Sequence, residues 1–247
     1  RTITYKTVGE IELKLHVFDP PAETKKPMPA VVFFFGGGWT NGEPAQFYHQ
    51  ANYLARHGFL AISADYRTMS NGKATPDECV KDCKAAIRYV RKHASELGVD
   101  PERIAAGGMS AGGHTAAATG TVKGFEHDDE ELSISSRPNA MVLFNPVYDN
   151  SEGAYGYGRV NKYWKEFSPL HNIDKDTPPA IVFFGSKEKH VPIPVMKEFQ
   201  AKMQAKGIKS ELKIYEGQGH GFANYGRGGN KDFIETMNET HKLFYVI

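Results

Sequence analysis

Gly108-Met109-Ser110-Ala111-Gly112 follows the apolar run 103–106 and opens an alanine-rich segment that reads as a helix. A serine between glycines at a strand-to-helix junction is the pattern of a nucleophile elbow. The turn is so tight that the residues two before and two after the serine must lack side-chain bulk, which leaves the hydroxyl projecting into a cleft. Ser110 is therefore the candidate nucleophile. Five residues of this kind also arise by chance in glycine-rich loops, so the rest of the chain has to supply partners.

Around the elbow, strand and helix patterns alternate. Residues 3–7 and 12–18 alternate apolar and polar side chains around a Val8-Gly9-Glu10 turn, as an antiparallel hairpin at a sheet edge would. The run 30–35 (AVVFFF) is continuously apolar, the look of a strand buried on both faces. Residues 59–64, 103–106, 140–144, 180–184 and 211–215 follow in that style, and helical stretches are predicted at 46–57, 76–97, 111–120, 195–206 and 231–245. Pro76 suits a first helical turn and Gly98 a C-terminal cap. The expected fold is α/β: a mostly parallel eight-stranded sheet with an N-terminal antiparallel hairpin and helices on both faces, in a single domain. Residues 148–177 break the rhythm with an insert rich in tyrosine and tryptophan, and a connection of that length is often a lid or binding loop.

A serine hydroxyl needs a base, and the base an orienting acid. Gly217-Gln218-Gly219-His220-Gly221-Phe222 places a histidine in a glycine-rich loop directly after an apolar strand, where this architecture gathers reactive groups. Glu188, in the loop between the strand 180–184 and the next helix, is the preferred acid, and Asp149 is its competitor. Phe35-Gly36-Gly37-Gly38-Trp39 ends the AVVFFF strand, so amides of Gly37 and Gly38 could join that of Ala111 as oxyanion donors.

Composition excludes several other classes. Lys plus Arg against Asp plus Glu is 30 to 29 with no basic stripe, which gives nucleic-acid binding no electrostatic support. No apolar run approaches the ~18 residues of a membrane span. Ten histidines lack ligand-like spacing and no HExxH motif occurs, so neither metal nor cofactor is expected. Cys79 and Cys83, four apart on a helix, read as reduced packing thiols. The chain begins at Arg1, as a secreted or periplasmic chain freed of its leader or a trimmed chain would.

The order of glycine-rich loop, Gly-x-Ser-x-Gly, acid loop and late histidine resembles the α/β-hydrolases. Within them it resembles esterases related to hormone-sensitive lipase and to bacterial feruloyl and acetyl-xylan esterases. Asp65-Tyr66-Arg67, Val99-Asp100-Pro101-Glu102-Arg103-Ile104 and Gly219-His220-Gly221-Phe222 carry the same resemblance, which covers nearly the whole chain. Two positions depart from the family pattern: Phe35 stands where the oxyanion loop usually begins with histidine, and Glu188 where the acid is usually aspartate.

The resemblance implies a serine carboxylester hydrolase acting on short acyl groups, acetyl especially, on carbohydrate, phenolic or small alcohol carriers. Trp39, Tyr66, Tyr148, Tyr155 and Phe222 are the residues expected to contact such a substrate. An amide, lactone or peptide hydrolase on the same triad is the second reading, and a binding module on a dead hydrolase fold the third.

Overall fold

The computed structural model describes residues 1–243. In chain order the elements are β1 (Thr2–Val8), β2 (Ile11–Phe18), β3 (Met28–Phe34), α1 (Tyr48–Ala55), β4 (Leu60–Ala64), α2 (Met69–Gly72), α3 (Pro76–Lys92), α4 (Ala94–Leu97), β5 (Val99–Met109), α5 (Ala111–Thr121), β6 (Ala140–Phe144), α6 (Tyr157–Val160), α7 (Trp164–Phe167), β7 (Ala180–Gly185), α8 (Ile193–Ala205), β8 (Ser210–Tyr215) and α9 (Lys231–Leu243). They build one eight-stranded sheet ordered β1-β2-β4-β3-β5-β6-β7-β8. The N-terminal strands pair antiparallel and β2 meets β4 antiparallel, while every pairing from β4 to β8 is parallel.

The central strands are buried on both faces because helices cover both sides, which is why they read as unbroken apolar runs. β5 sits at the centre between β3 and β6, and the elbow continues directly from its end. It is longer than the expected 103–106: Gly107 and Gly108 still pair with Phe33 and Phe34 across the ladder. Two consecutive glycines look like a turn in sequence, yet with β-neighbours on both sides they complete the strand.

The helix expected over 76–97 is two helices. α3 starts with a capping box in which Thr75 and Glu78 satisfy each other's ends, and it stops at His93, where the backbone leaves helical geometry. Gly98, with φ 70°, closes the short α4. α3 is anchored by a buried ion pair, Asp82 accepting from Nε and Nη2 of Arg67 at 2.9 and 3.0 Å. Cys79 and Cys83 are free and buried on this helix. The helix expected over 231–245 is present to Leu243, and residues 244–245 lie outside the described residues. No described helix is long and apolar enough to cross a membrane.

Candidate active site

Ser110 has φ 58° and ψ −122°, a strained geometry for a residue with a side chain, and its amide is held by the Phe144 carbonyl at 3.0 Å. That strain is maintained by the packing around it. A Cβ on Gly112 would sit 2.1 Å from the Phe34 carbonyl oxygen and 2.2 Å from that of Phe35, so only glycine lets α5 start against β3.

The glycine loop after β3 lies against the elbow. A Cβ on Gly36 would come within 3.2 Å of the Ser110 Cβ. Gly37, Gly38 and Trp39 have φ values of 134°, 65° and 60°, an uninterrupted left-handed excursion that turns the peptide planes. Gln46 Oε1 takes the Gly36 amide at 2.6 Å, and Tyr66 donates its hydroxyl to the Phe35 carbonyl at 2.6 Å. Among the described residues no acceptor takes the amide hydrogens of Gly37, Gly38 or Ala111. Three donors beside a strained serine hydroxyl are what an oxyanion needs.

Across the cavity, His220 Nδ1 lies 2.5 Å from Glu188 Oε2. The Glu188 side chain is 1% exposed and that of His220 30%. The carboxylate also accepts from Asn145 Nδ2 at 2.7 Å and from the amides of Lys189 and His190, both at 2.8 Å. Burial pushes the Glu188 carboxyl up, but the bonds from His220 and the two amides outweigh it and hold the group below its ordinary value. Glu188, His190 and His220 place ligand-capable atoms within 4.8 Å of one another, a donor set with metal-binding chemistry. With hydrogen bonds already on both carboxylate oxygens, the geometry suits an orienting acid better.

Asp149 is elsewhere. It accepts from the amide and hydroxyl of Ser151 at 2.9 Å and lies 3.9 Å from His171. His114, on α5, is also unsuited as a base: it is fully buried between Trp39 and Phe167, and burial pushes it down to about 3.

Ser110, His220, Gly36, Gly37 and Gly38 line one cavity of about 290 Å³, with Tyr155, His190, Asn224 and Arg227 among its other walls. A larger hollow of about 820 Å³, beside Arg91 and Arg137, contains neither Ser110 nor His220. Of the five aromatic residues expected to face substrate, only Tyr155 reaches the catalytic cavity. Tyr66 is buried, stacked on Phe35 at 4.1 Å, and braces the glycine loop from beneath. Trp39 is 1% exposed and meets His114 edge-on, Tyr148 stacks on Phe199 at 3.8 Å, and Phe222 packs on Tyr215. All four rings are buried in the core, where removing large aromatic surface from water stabilises the fold.

Several residues at the site escaped the sequence reading. Asn145 and Gln46 are polar side chains whose partners are set only by folding. Arg159, in α6, donates to the Gly38 carbonyl and lies over the Trp39 ring at 5.0 Å, tying the insert to the glycine loop. Arg227 had a visible signal, since Gly226-Arg227-Gly228-Gly229 follows shortly after the histidine loop.

A parallel sheet with a serine at its central elbow, a histidine–carboxylate pair across the cavity and unsatisfied amides beside them defines an α/β-hydrolase of the serine-esterase class. The chain belongs to the BD-FAE family, whose model matches residues 15–152, more than half of its length. The dienelactone hydrolase family model matches residues 141–244.

Solved structures agree over nearly the whole chain. A propionate-bound thermophilic esterase of the planctomycete Thermogutta terrifontis is 40% identical, with a TM-score of 0.94 over 99% of this chain and 93% of that one. Esterase 2 of the same organism, phosphorylated by paraoxon, is 41% identical with a TM-score of 0.93, covering 98% and 92%. A probable isoprenylcysteine alpha-carbonyl methylesterase of Arabidopsis thaliana is 29% identical, covering 89% of this chain and 50% of the relative. Esterase LipC of Mycobacterium tuberculosis is 27% identical, covering 80% and 54%. This chain thus spans about half the length of these curated relatives.

Proposed function

We propose that this chain hydrolyses short-chain carboxylic esters through an acyl-enzyme on Ser110. The observation that carries the reading is the 2.5 Å contact of His220 Nδ1 with the buried Glu188 carboxylate, on the far side of a cavity that Ser110 and His220 both line. With Nδ1–H donated to Glu188, the other ring nitrogen is free to take the Ser110 proton. Ser110 Oγ attacks the ester carbonyl, and the amides of Ala111 with Gly37 or Gly38 hold the tetrahedral oxyanion. Each such donor typically lowers the barrier by about 3 kcal/mol. His220 then returns the proton to the departing alcohol. A water that gives its proton to His220 attacks the acyl carbonyl, and collapse of the second tetrahedral intermediate frees the acid and restores Ser110. Glu188 stabilises the imidazolium formed in each half. The cycle calls on no metal or cofactor.

The substrate we assign is a small acyl group, acetyl-type, on a carbohydrate, phenolic or small alcohol carrier. The modest cavity supports a short acyl chain, and the Thermogutta terrifontis esterase has been captured with propionate and with butyrate. Tyr155 is the wall aromatic on which a sugar or phenolic ring would stack. The dienelactone hydrolase match, which spans both Glu188 and His220, favours cyclic esters as a second substrate type.

A fluorophosphonate probe should label the wild-type protein and leave Ser110→Ala unlabelled. A panel of p-nitrophenyl acyl chains, acetylated sugars, feruloyl esters and lactones should show its highest kcat/KM at acyl chains of about two to four carbons. Equal labelling of Ser110→Ala would refute the mechanism.

A further inference from the structure

The catalytic cavity carries one permanent charge on its wall, and it is positive. Its lining consists of glycines, Gln46, Met109, Ser110, Tyr155, His190, His220, Asn224 and Arg227, with no carboxylate side chain among them. Glu188 lies behind His220, and its oxygens are taken up by His220, Asn145 and two amides. Arg227 itself makes no ion pair with any carboxylate among the described residues. Arg227 is exposed at the cavity mouth, whereas the buried cations are matched: Arg67 with Asp82, Arg88 with Glu126 and Glu130, Lys84 with Glu126.

The backbone that presents Arg227 is fixed. Its amide donates to the Asn224 carbonyl at 3.3 Å and its carbonyl accepts from Asn230 at 2.8 Å, while Asn224 donates in turn to Gly221. Tyr225 stacks on His49 at 3.7 Å and meets Phe233 edge-on, which pins the middle of the loop. A short run of closed turns therefore connects the histidine to the arginine and sets the Arg227 backbone beside the cavity, with its side chain exposed at the mouth.

An unmatched guanidinium at the open mouth of this cavity favours a planar anionic group, because its planar fork of donors fits a carboxylate and no carboxylate side chain lines the cavity to neutralise it. We propose that Arg227 selects esters that carry a free carboxylate, either on the acyl side, as in a half-ester of a dicarboxylic acid, or on the alcohol side, as in an acylated hydroxy acid. This deepens the esterase reading and rests on it. The group touched is the substrate's remote carboxylate, so Arg227 is a specificity residue rather than part of the proton relay.

The test compares pairs in which a carboxylate stands in place of a small alkyl group: ethyl hydrogen succinate against ethyl butyrate, and O-acetylglycolate against propyl acetate. The anionic-to-neutral ratio of kcat/KM should fall about tenfold in Arg227→Gln for at least one pair, and Arg227→Lys should keep part of it. Raising the salt concentration should reduce the ratio in the wild type and leave it unchanged in Arg227→Gln. The pair that responds tells which side of the ester faces the arginine.

The same four esters, titrated calorimetrically into Ser110→Ala with and without Arg227→Gln, read the preference without turnover. Tighter binding of an anionic member that disappears with Arg227→Gln supports the proposal. Equal ratios and equal affinities with and without the arginine overturn it. A wild type that turned over none of the esters would instead count against the esterase mechanism, and the calorimetry would still decide the arginine's role.

Discussion

On one side of the cavity, backbone packs on backbone: the glycine loop passes so close to the elbow that Gly36 and Gly112 leave no room for a methyl group to enter unopposed. On the other side, His220 is 30% exposed and is placed by a carboxylate that four hydrogen bonds hold still. In the proposed mechanism the first wall carries the groups that must not move, the nucleophile and the oxyanion donors. The second carries the group that must gain and lose a proton in each half of the cycle. Sterics fix a position most rigidly, whereas hydrogen bonds fix an orientation while leaving the ring nitrogen open to the cavity.

If the two walls differ in this way, they should fail differently. The second should lose activity when a bond is removed, with little loss of fold. Glu188→Gln keeps the side-chain size but cannot stabilise the imidazolium, and kcat should drop by about 10³- to 10⁴-fold, read by ester hydrolysis, while Asp149→Asn stays within about twofold. The same variant carries a pH signature. The Glu188 carboxyl titrates below its ordinary value in the fold, so its stabilisation is complete above the ordinary carboxylate range and is lost as pH falls through the lowered one. Melting temperature against pH should therefore lose part of its acid-side decline in Glu188→Gln.

The first wall should instead break by addition. Gly112→Ala puts a methyl carbon 2.1 Å from a carbonyl oxygen, and β3 and α5 would have to separate to admit it. Denaturant unfolding should show a loss of about 3 kcal/mol or more, with any remaining activity falling alongside. The smallest expected effect sharpens the contrast. Asn145→Ala removes one of the bonds to Glu188, and kcat should fall about tenfold with KM unchanged, since a hydrogen bond to a charged group is worth about 1.5–3 kcal/mol. A large rise in KM would show that Asn145 shapes the substrate site and not the acid.

The steric wall was also the more legible one. Gly-x-Ser-x-Gly and the three glycines after AVVFFF announce close approach in the sequence itself, because only the absence of a side chain explains them. The mostly parallel sheet followed from buried apolar runs, though not the order of its strands, and Glu188 was singled out by its loop. What stayed hidden were facts of packing. Tyr66, Trp39, Tyr148 and Phe222 are aromatic residues near the right loops, but composition does not say which way a ring points, and all four point into the core. The break at His93 is a local choice of backbone that helical periodicity passes over. Asn145 and Arg159 act through partners 43 and 121 residues away, and no spacing rule reaches that far.

Arg159 has a consequence for how freely this scaffold can be re-engineered. Its guanidinium, borne on the insert, grips the carbonyl of Gly38 and covers the neighbouring indole. The region that would be exchanged to alter substrate preference is thus also a strut for the glycine loop whose amides are proposed to hold the oxyanion. A transplanted insert that lacked a cation at the matching height would arrive with its new pocket and leave the oxyanion loop unsupported, so chimeras should be judged first by turnover of the simplest acetate and only then by selectivity.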